Sequence, residues 1–175
     1  LWSRGLGDVY KRQLVKPFER PQRLDFIVDE IKTRGFGEIL NPNKVNLNII
    51  GKVHDQDYIK FLDNAWNEWT KEGFKGEAIP TVWPSRSMNS EKIPTFIEGK
   101  LGYYSLAGET SISNGSIEAA YEAVRVAISA VDTLVKDKLS GIFALCRPPG
   151  HHASKNQYGG YCFFNNAAIA AERFK

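Results

Sequence analysis

Two adjacent histidines are the residues of this sequence best suited to chemistry. The chain of 175 residues contains three histidines, and two of them, His151 and His152, stand together in the stretch RPPGHHA at 147–153. Imidazole titrates near neutral pH, so a coupled pair suits proton transfer. Neighbouring side chains in a turn are expected to point in different directions, unlike the i, i+4 histidines with which a helix binds zinc. Two adjacent histidines with no other signal are structural more often than catalytic. The role of this pair therefore has to be inferred from the surrounding residues.

The other histidine and the two cysteines add no further ligand cluster. His54 stands at the start of a predicted helix, where it is interpreted as a cap or a surface residue. Cys146 and Cys162 form no disulfide framework and are typical of a reducing compartment, which favours a cytoplasmic location. The residues alone therefore favour proton transfer over metal coordination at the tandem histidines.

Three amphipathic helices and one strand are predicted to position this pair. Apolar residues recur at helical spacing over 20–35, 54–73 and 116–138. The run GIFALC at 141–146 lacks polar alternation, which is typical of a strand buried on both faces of a parallel sheet. The tandem histidines follow the C-terminal end of this strand, where open α/β sheets place their sites. The expected fold class is therefore α/β. The predicted helix ends are Pro21 in a first turn, Gly35 as a C-terminal cap, and Asp55 and Ser116 as N-caps.

Composition and charge exclude several classes of protein. Apolar residues make up 42% and charged residues 25% of the chain, which is ordinary for a globular domain. The net charge of +3 is too small to indicate nucleic-acid binding. No apolar run approaches the roughly 20 residues that a membrane span needs. Neither a nucleic-acid nor a membrane partner is expected.

Two segments differ from the rest of the chain. Residues 1–13, LWSRGLGDVYKRQ, resemble translated sequencing-adapter read-through and are interpreted as a non-native segment, with a short native segment as the alternative. Residues 71–115 are rich in proline, glycine and aromatic residues, and are interpreted as a binding or subunit-contact loop. A plain irregular insertion is the alternative. The aromatic side chains expected to be exposed there include Trp83, Phe96, Tyr103 and Tyr104.

The stretch RPPGHHA, followed by YGGYCFFNNAAIAA, closely resembles the histone deacetylase superfamily. Upstream, PFERPQRLDFI and VHDQDYIKFL resemble that family's earlier motifs in the same order. The resemblance covers residues 14–175 and implies part of a single-domain arginase/deacetylase-like fold, with a parallel sheet flanked by helices. The insertion at 71–115 looks like that of the bacterial acetylpolyamine amidohydrolases, in which it narrows the active-site entrance across a homodimer. A protein deacetylase acting on acetyl-lysine and an acetoin-utilisation-type relative are the alternatives.

The resemblance implies roles for individual residues. His152 would act on the zinc-bound water as general base and then protonate the leaving amine, while His151 assists electrostatically. Gly160 and Tyr161 would line the acyl channel, although Tyr161 as a core residue is the alternative. Arg20 matches the family's internal-channel arginine.

Carboxylates are expected near the entrance of that channel. Glu98 and Glu109 look like the residues that the polyamine enzymes place there, where they would attract a small cationic acetylated amine. Solvated loop and helix-start charges are the alternative interpretation.

The zinc ion that the resemblance implies has no ligands in this sequence. The family's Asp-x-His motif, later aspartate and catalytic tyrosine are expected beyond Lys175, so the chain is interpreted as an N-terminal fragment that is inactive by itself. The alternative of another class is a non-catalytic fragment or binding module.

Overall fold

The computed structural model describes residues 8–10, 13–15, 20–89 and 91–175, and these divide into two compact units. The first unit, Leu1–Asn41, contains strands β1 (Asp8–Tyr10) and β2 (Gln13–Val15), which pair antiparallel, followed by helix α1 (Gln22–Arg34). Strand β1 lies within the 1–13 segment interpreted as non-native, and residues 1–7, 11–12 and 16–19 lie outside the described residues.

Helix α1 ends as its sequence predicts. Gly35 adopts a left-handed φ of 62°, and its N–H bonds to the carbonyl groups of Ile31 and Lys32. Pro21 occupies the N-cap position, one residue before the first turn. The apolar face of α1 is only half-buried, and Arg20, just before the helix, is exposed.

The described residues of the second unit, Pro42–Lys175, form four helices and a 3₁₀ turn at Asn48–Lys52. The helices are α2 (Gln56–Lys71), α3 (Ile97–Tyr104), α4 (Ser116–Lys136) and α5 (Asn166–Phe174). Helix α2 packs against α3, and α4 packs against α5. An aromatic core joins them, in which the Phe61 ring stacks on Tyr104 with centroids 4.6 Å apart. No helix in the described part of the chain is long and apolar enough to cross a membrane.

The structure differs from the predicted N-caps of α2 and α4. Asp55 occupies the cap position of α2, but its side chain makes no cap hydrogen bond. Its N–H instead donates to the carbonyl of Lys155 at 3.0 Å, and its carboxylate pairs with the Lys155 ammonium at 3.0 Å. Gly115 rather than Ser116 is the N-cap of α4, while the buried Ser116 hydroxyl accepts the Ser113 N–H at 2.8 Å. On the apolar face of α4, Val124, Ala127 and Ile128 are buried, whereas Val135, near the end of the helix, is 58% exposed.

The prediction of a buried strand at 141–146 is wrong. This segment forms no strand, and Ile142 and Phe143 are 40% and 68% exposed. A strand needs a neighbour to satisfy its backbone hydrogen bonds, and no described segment pairs with this one. The one strand pair in the described ranges is the antiparallel β1–β2 pair, so the expected parallel sheet is not found there.

The 71–115 segment is more regular than predicted. It contains helix α3, and Tyr104 is buried in the core, whereas Trp83 and Phe96 are 43% and 74% exposed. Ala78 and Ile112 exchange backbone hydrogen bonds of 2.8 and 3.0 Å, so the beginning and the end of the segment lie next to each other. The segment also reaches the loop after the tandem histidines, because Tyr158 N–H donates to the Tyr104 carbonyl at 2.8 Å.

Candidate functional site

The tandem histidines are the two central residues of a tight turn. The N–H of Ala153 donates to the carbonyl of Gly150 at 3.2 Å and closes the turn over His151 and His152. Both histidine side chains are exposed. Their ring centroids lie 4.3 Å apart with an interplanar angle of 45°, so the expectation that the two side chains diverge is wrong. The pair therefore presents two imidazoles side by side to solvent.

Two asparagines at the start of α5 hold both ends of this turn. Asn166 Nδ2 donates to the Pro148 carbonyl at 3.2 Å, before the turn, and Asn165 Nδ2 donates to the Ala153 carbonyl at 3.0 Å, after it. Asn165 Oδ1 also accepts the Ala168 N–H at 3.0 Å and so caps α5. The motif and the periodicity predict no role for these asparagines, and the sequence signal that indicates one is a pair of amides at a helix start.

His54 is a buried structural histidine, so its interpretation as a cap or surface residue is wrong. Its side chain is 2% exposed. Nε2 accepts the Asn165 N–H at 2.9 Å, which leaves Nδ1 to donate to the Lys155 carbonyl at 3.3 Å. Burial lowers the pKa of His54 below its usual 6.5. A neutral imidazole thus links the start of α2 to the loop that follows the tandem histidines.

The Gly160–Tyr161 turn lies directly against His152. Gly159 and Cys162 exchange backbone hydrogen bonds of 3.0 and 2.9 Å, and Gly160 and Tyr161 between them adopt left-handed φ values of 55° and 63°. A Cβ added to Gly160 would lie 2.3 Å from His152 Cδ2. Tyr161 is half-buried and lies outside the buried core. The structure therefore brings Gly160 to the catalytic candidate His152.

The two predicted entrance carboxylates occupy different environments. Glu109 is exposed, and its Oε1 accepts the Gly160 N–H at 2.5 Å. Glu98 lies in the first turn of α3 and is also exposed. Of the described residues, none forms a hydrogen bond or an ion pair with the Glu98 carboxylate. The structure thus joins Glu109, but not Glu98, to the site around His152.

No group of three or more His, Cys, Asp or Glu side chains in the described ranges could hold a metal ion. The residues present do not fit the zinc ion that the family implies, so no chemical step is assigned to a metal here. The cysteines do not supply a nucleophile either. Burial raises the pKa of the Cys146 thiol to about 11, and Cys162 is fully buried with its thiol donating to the Gly160 carbonyl at 3.3 Å.

An apolar cavity of about 470 Å³ opens beside His151, between α4, α5 and the 141–146 segment. Its lining includes Asn166, whose Oδ1 is the buried side-chain polar atom without a hydrogen-bond partner among the described residues. The cavity wall is otherwise dominated by small and aliphatic side chains such as Ala127 and Val131. It therefore offers apolar surface and one unused acceptor next to the tandem histidines.

Comparison with known proteins assigns this chain to one family. The family model described as histone deacetylase domain matches residues 17–175. The chain therefore belongs to the histone deacetylase family. Within it, the chain is 47% identical over 166 residues to the acetylpolyamine amidohydrolase of Mycoplana ramosa, which covers 95% of this chain and 48% of the relative. It is 41% identical over 170 residues to acetylpolyamine amidohydrolase 2 of Pseudomonas aeruginosa, covering 97% and 49% respectively. The chain spans about half the length of the curated relatives it matches.

Solved structures of two related proteins agree with this family assignment. The crystal structure of acetylpolyamine aminohydrolase from Burkholderia pseudomallei matches with a TM-score of 0.83 and 28% identity, over 98% of this chain and 49% of that chain. The HDA15 HD domain matches with a TM-score of 0.60 at 22% identity, over 89% and 36%, which supports the fold alone. The expected deacetylase-like fold is therefore confirmed by these neighbours.

Proposed function

We propose that the full-length protein is an amidohydrolase that removes acetyl groups from acetylated polyamines. One observation carries the proposal: the exposed His151–His152 pair lies against Gly160, in a chain 47% identical to the acetylpolyamine amidohydrolase of Mycoplana ramosa. The protein deacetylase and acetoin-utilisation-type alternatives share the histidine motif, so substrate preference separates them from this proposal.

Amide hydrolysis requires a group that takes a proton from water and returns one to the leaving nitrogen. We assign both transfers to His152, because its imidazole is exposed and is held in place by contact with Gly160. His151, with its ring 4.3 Å away, assists electrostatically. General acid–base groups of this kind contribute about 10²–10⁴-fold to the rate. The Asn165 and Asn166 side chains orient the turn without touching the substrate.

The Gly160–Tyr161 turn is assigned to the acyl channel. Gly160 brings backbone close to His152, and the half-buried Tyr161 ring supplies an aromatic wall. Such a wall suits the slender aliphatic chain of a polyamine. A folded protein would instead present its acetyl-lysine on a bulky backbone.

Charge selection is assigned to the two exposed carboxylates, Glu98 and Glu109. Polyamines carry ammonium groups along a thin chain, and carboxylates near a narrow entrance raise their local concentration. Exposed ion pairs contribute only about 0.2–1 kcal/mol each. These glutamates therefore tune preference, while the shape of the 71–115 segment excludes larger substrates.

The proposal includes a zinc ion, on the grounds of the family's general zinc dependence, with ligands other than the described residues. The 175 residues alone are accordingly expected to be inactive. It also includes a homodimer formed through the 71–115 segment, whose exposed Trp83 and Phe96 offer apolar contact surface. A cytoplasmic location completes the proposal, with no nucleic-acid or membrane partner.

A substrate comparison tests the proposal. The full-length protein is assayed with acetylputrescine, acetylcadaverine and acetylspermidine, and with acetyl-lysine peptides, while bound zinc and oligomeric state are measured in the same preparation. We expect kcat/KM to be highest for the acetylated polyamines. Equal or faster turnover of a large acetylated peptide would support a protein deacetylase instead. A folded preparation that hydrolyses none of these substrates would support a binding module.

A further inference from the structure

Two neighbouring side chains of the 71–115 segment hold the turn that contacts His152. Glu109 Oε1 accepts the Gly160 N–H at 2.5 Å, and Thr110 Oγ1 accepts the Tyr161 N–H at 2.8 Å. The Thr110 hydroxyl in turn donates to Glu109 Oε1 at 3.2 Å. We call these three hydrogen bonds the Glu109–Thr110 clasp, and two of them join residues 51 positions apart in the sequence.

The backbone that the clasp holds is in an unfavourable conformation. Gly160 and Tyr161 have φ values of 55° and 63°, and the left-handed region is disfavoured for a residue with a side chain such as Tyr161. Conformations of this kind persist where surrounding contacts fix them. The clasp supplies such contacts, because it engages the two consecutive N–H groups at the centre of the turn.

The position of this turn determines the position of a histidine. A Cβ on Gly160 would lie 2.3 Å from His152 Cδ2 and 2.6 Å from His152 Cγ, so glycine backbone and imidazole are in direct contact. A shift of the turn therefore either pushes the ring or leaves space beside it. Misplacement of a catalytic group by about 1 Å can lower a rate about 100-fold.

We propose that Thr110 and Glu109 are positioning residues that set the place of the His152 imidazole through the Gly160–Tyr161 turn. Thr110 is the more informative of the two because it is 2% exposed and therefore cannot bind the substrate cation itself. Its hydroxyl accepts one backbone N–H and donates to one carboxylate, so both of its hydrogen bonds belong to the clasp. The inference deepens the proposed function by adding a residue that acts on catalysis without touching substrate.

The test is the Thr110→Val substitution in the full-length protein, which keeps the side-chain shape and removes the hydroxyl. Thr110→Ser restores the hydroxyl. Ser111→Ala is the matched control, since the neighbouring Ser111 hydroxyl donates to Glu77 Oε2 at 2.7 Å, away from the turn. Two quantities are measured: kcat and KM for acetylputrescine, and the ¹³C–¹H signal of His152 Cδ2 in protein labelled at histidine.

For Thr110→Val we expect kcat to fall about tenfold to 100-fold, with KM within about twofold of the parent. The His152 Cδ2 signal should shift, since this atom faces Gly160. Thr110→Ser should restore kcat and the signal, and Ser111→Ala should leave both unchanged. An unmoved His152 signal, or a loss of kcat equal in Ser111→Ala, would overturn the inference. The His152 signal distinguishes failure of the proposed function from failure of this inference. A parent protein with no deacetylase activity would contradict the proposed function. The shift of the His152 signal in Thr110→Val would still test the clasp in that case.

Discussion

The imidazole of His152 occupies the space that a side chain on Gly160 would need. A Cβ at position 160 would lie 2.3 Å from Cδ2 and 3.0 Å from Cβ of His152. Real atoms do not approach so closely, so any side chain at this position requires the histidine to move. The glycine and the histidine therefore form one steric unit, although eight positions separate them in the chain.

The first prediction concerns this contact. Gly160→Ala in the full-length protein should lower kcat by at least about tenfold, because the new methyl group displaces His152. The left-handed φ of 55° also costs an alanine about 1–2 kcal/mol. Gly108→Ala is the control, because a Cβ there would lie 3.5 Å from Trp83, an ordinary contact. Steady-state kinetics and thermal unfolding are measured for both variants. Parent-like kcat in Gly160→Ala would show that the contact does not constrain the ring.

The second prediction separates the two histidines. His152→Ala should reduce deacetylation by about 10²–10⁴-fold, as expected for a general acid–base group, and His151→Ala should have a smaller effect. Both side chains are exposed, so neither variant should lose stability. Zinc content is measured alongside activity in the full-length protein. Loss of zinc together with activity in His152→Ala would identify a metal ligand and contradict the proton-transfer role.

The third prediction distinguishes the charge of Glu109 from its hydrogen bond. Glu109→Gln keeps an oxygen that can accept the Gly160 N–H, so it should raise KM for acetylputrescine with kcat nearly unchanged, and more so at low salt. Glu109→Ala removes the acceptor as well and should also lower kcat. Glu98→Gln should raise KM alone, since none of the described residues hydrogen-bonds to that carboxylate. A kcat loss in Glu109→Gln as large as in Glu109→Ala would contradict this separation.

The fourth prediction concerns pH and His54. Burial between the rings of Tyr58 and Phe164, each 5.5 Å from its own, lowers the pKa of this imidazole below the usual 6.5. Below that pH the unfolded chain binds a proton that the folded chain excludes, so the free energy of unfolding should fall as the pH falls from about 6.5. The measurement is denaturant unfolding of the full-length protein from pH 7.5 to 5.

The matched variant for this experiment is His54→Ala. Its free energy of unfolding at neutral pH should be about 1–3 kcal/mol lower than that of the parent, because the Asn165 N–H loses its acceptor. Its free energy of unfolding should also depend less on pH than that of the parent. His151→Ala serves as the control, since that side chain is exposed and should leave the pH dependence in place. If the free energy of unfolding depends on pH equally in the parent and in His54→Ala, the pH dependence does not come from His54.

The helices of this chain could be predicted because their signal is local. The apolar faces of 54–73 and 116–138 repeat within each segment, and the structure has α2 and α4 within two residues of those bounds. The strand predicted at 141–146 depended on a partner elsewhere. An apolar run carries no information about which segment will supply its hydrogen bonds, and no described segment does so.

The site could be predicted in its residue types but not in its contacts. The RPPGHHA motif indicates His151 and His152, and the family resemblance assigns Gly160 to the acyl channel, but the contact between Gly160 and His152 emerges only in the structure. The burial of His54 does not follow from the local sequence, because it results from Tyr58 in the first turn of α2 together with Phe164, more than a hundred positions away. The bond from Gly160 to Glu109 was missed for the same reason, since it is a tertiary contact.

The bond between His54 and Asn165 also has a consequence for the order of folding. It closes a loop of 111 residues, and the Glu109–Gly160 bond closes one of 51. Closing such loops costs chain entropy before any contact offsets it, so both bonds form late relative to the helices. During synthesis the tandem histidines leave the ribosome before α5, and the asparagines that hold their turn follow them. The tandem histidines therefore acquire the geometry described here only after Asn166 has been synthesised, so this turn is completed late in the synthesis of these 175 residues.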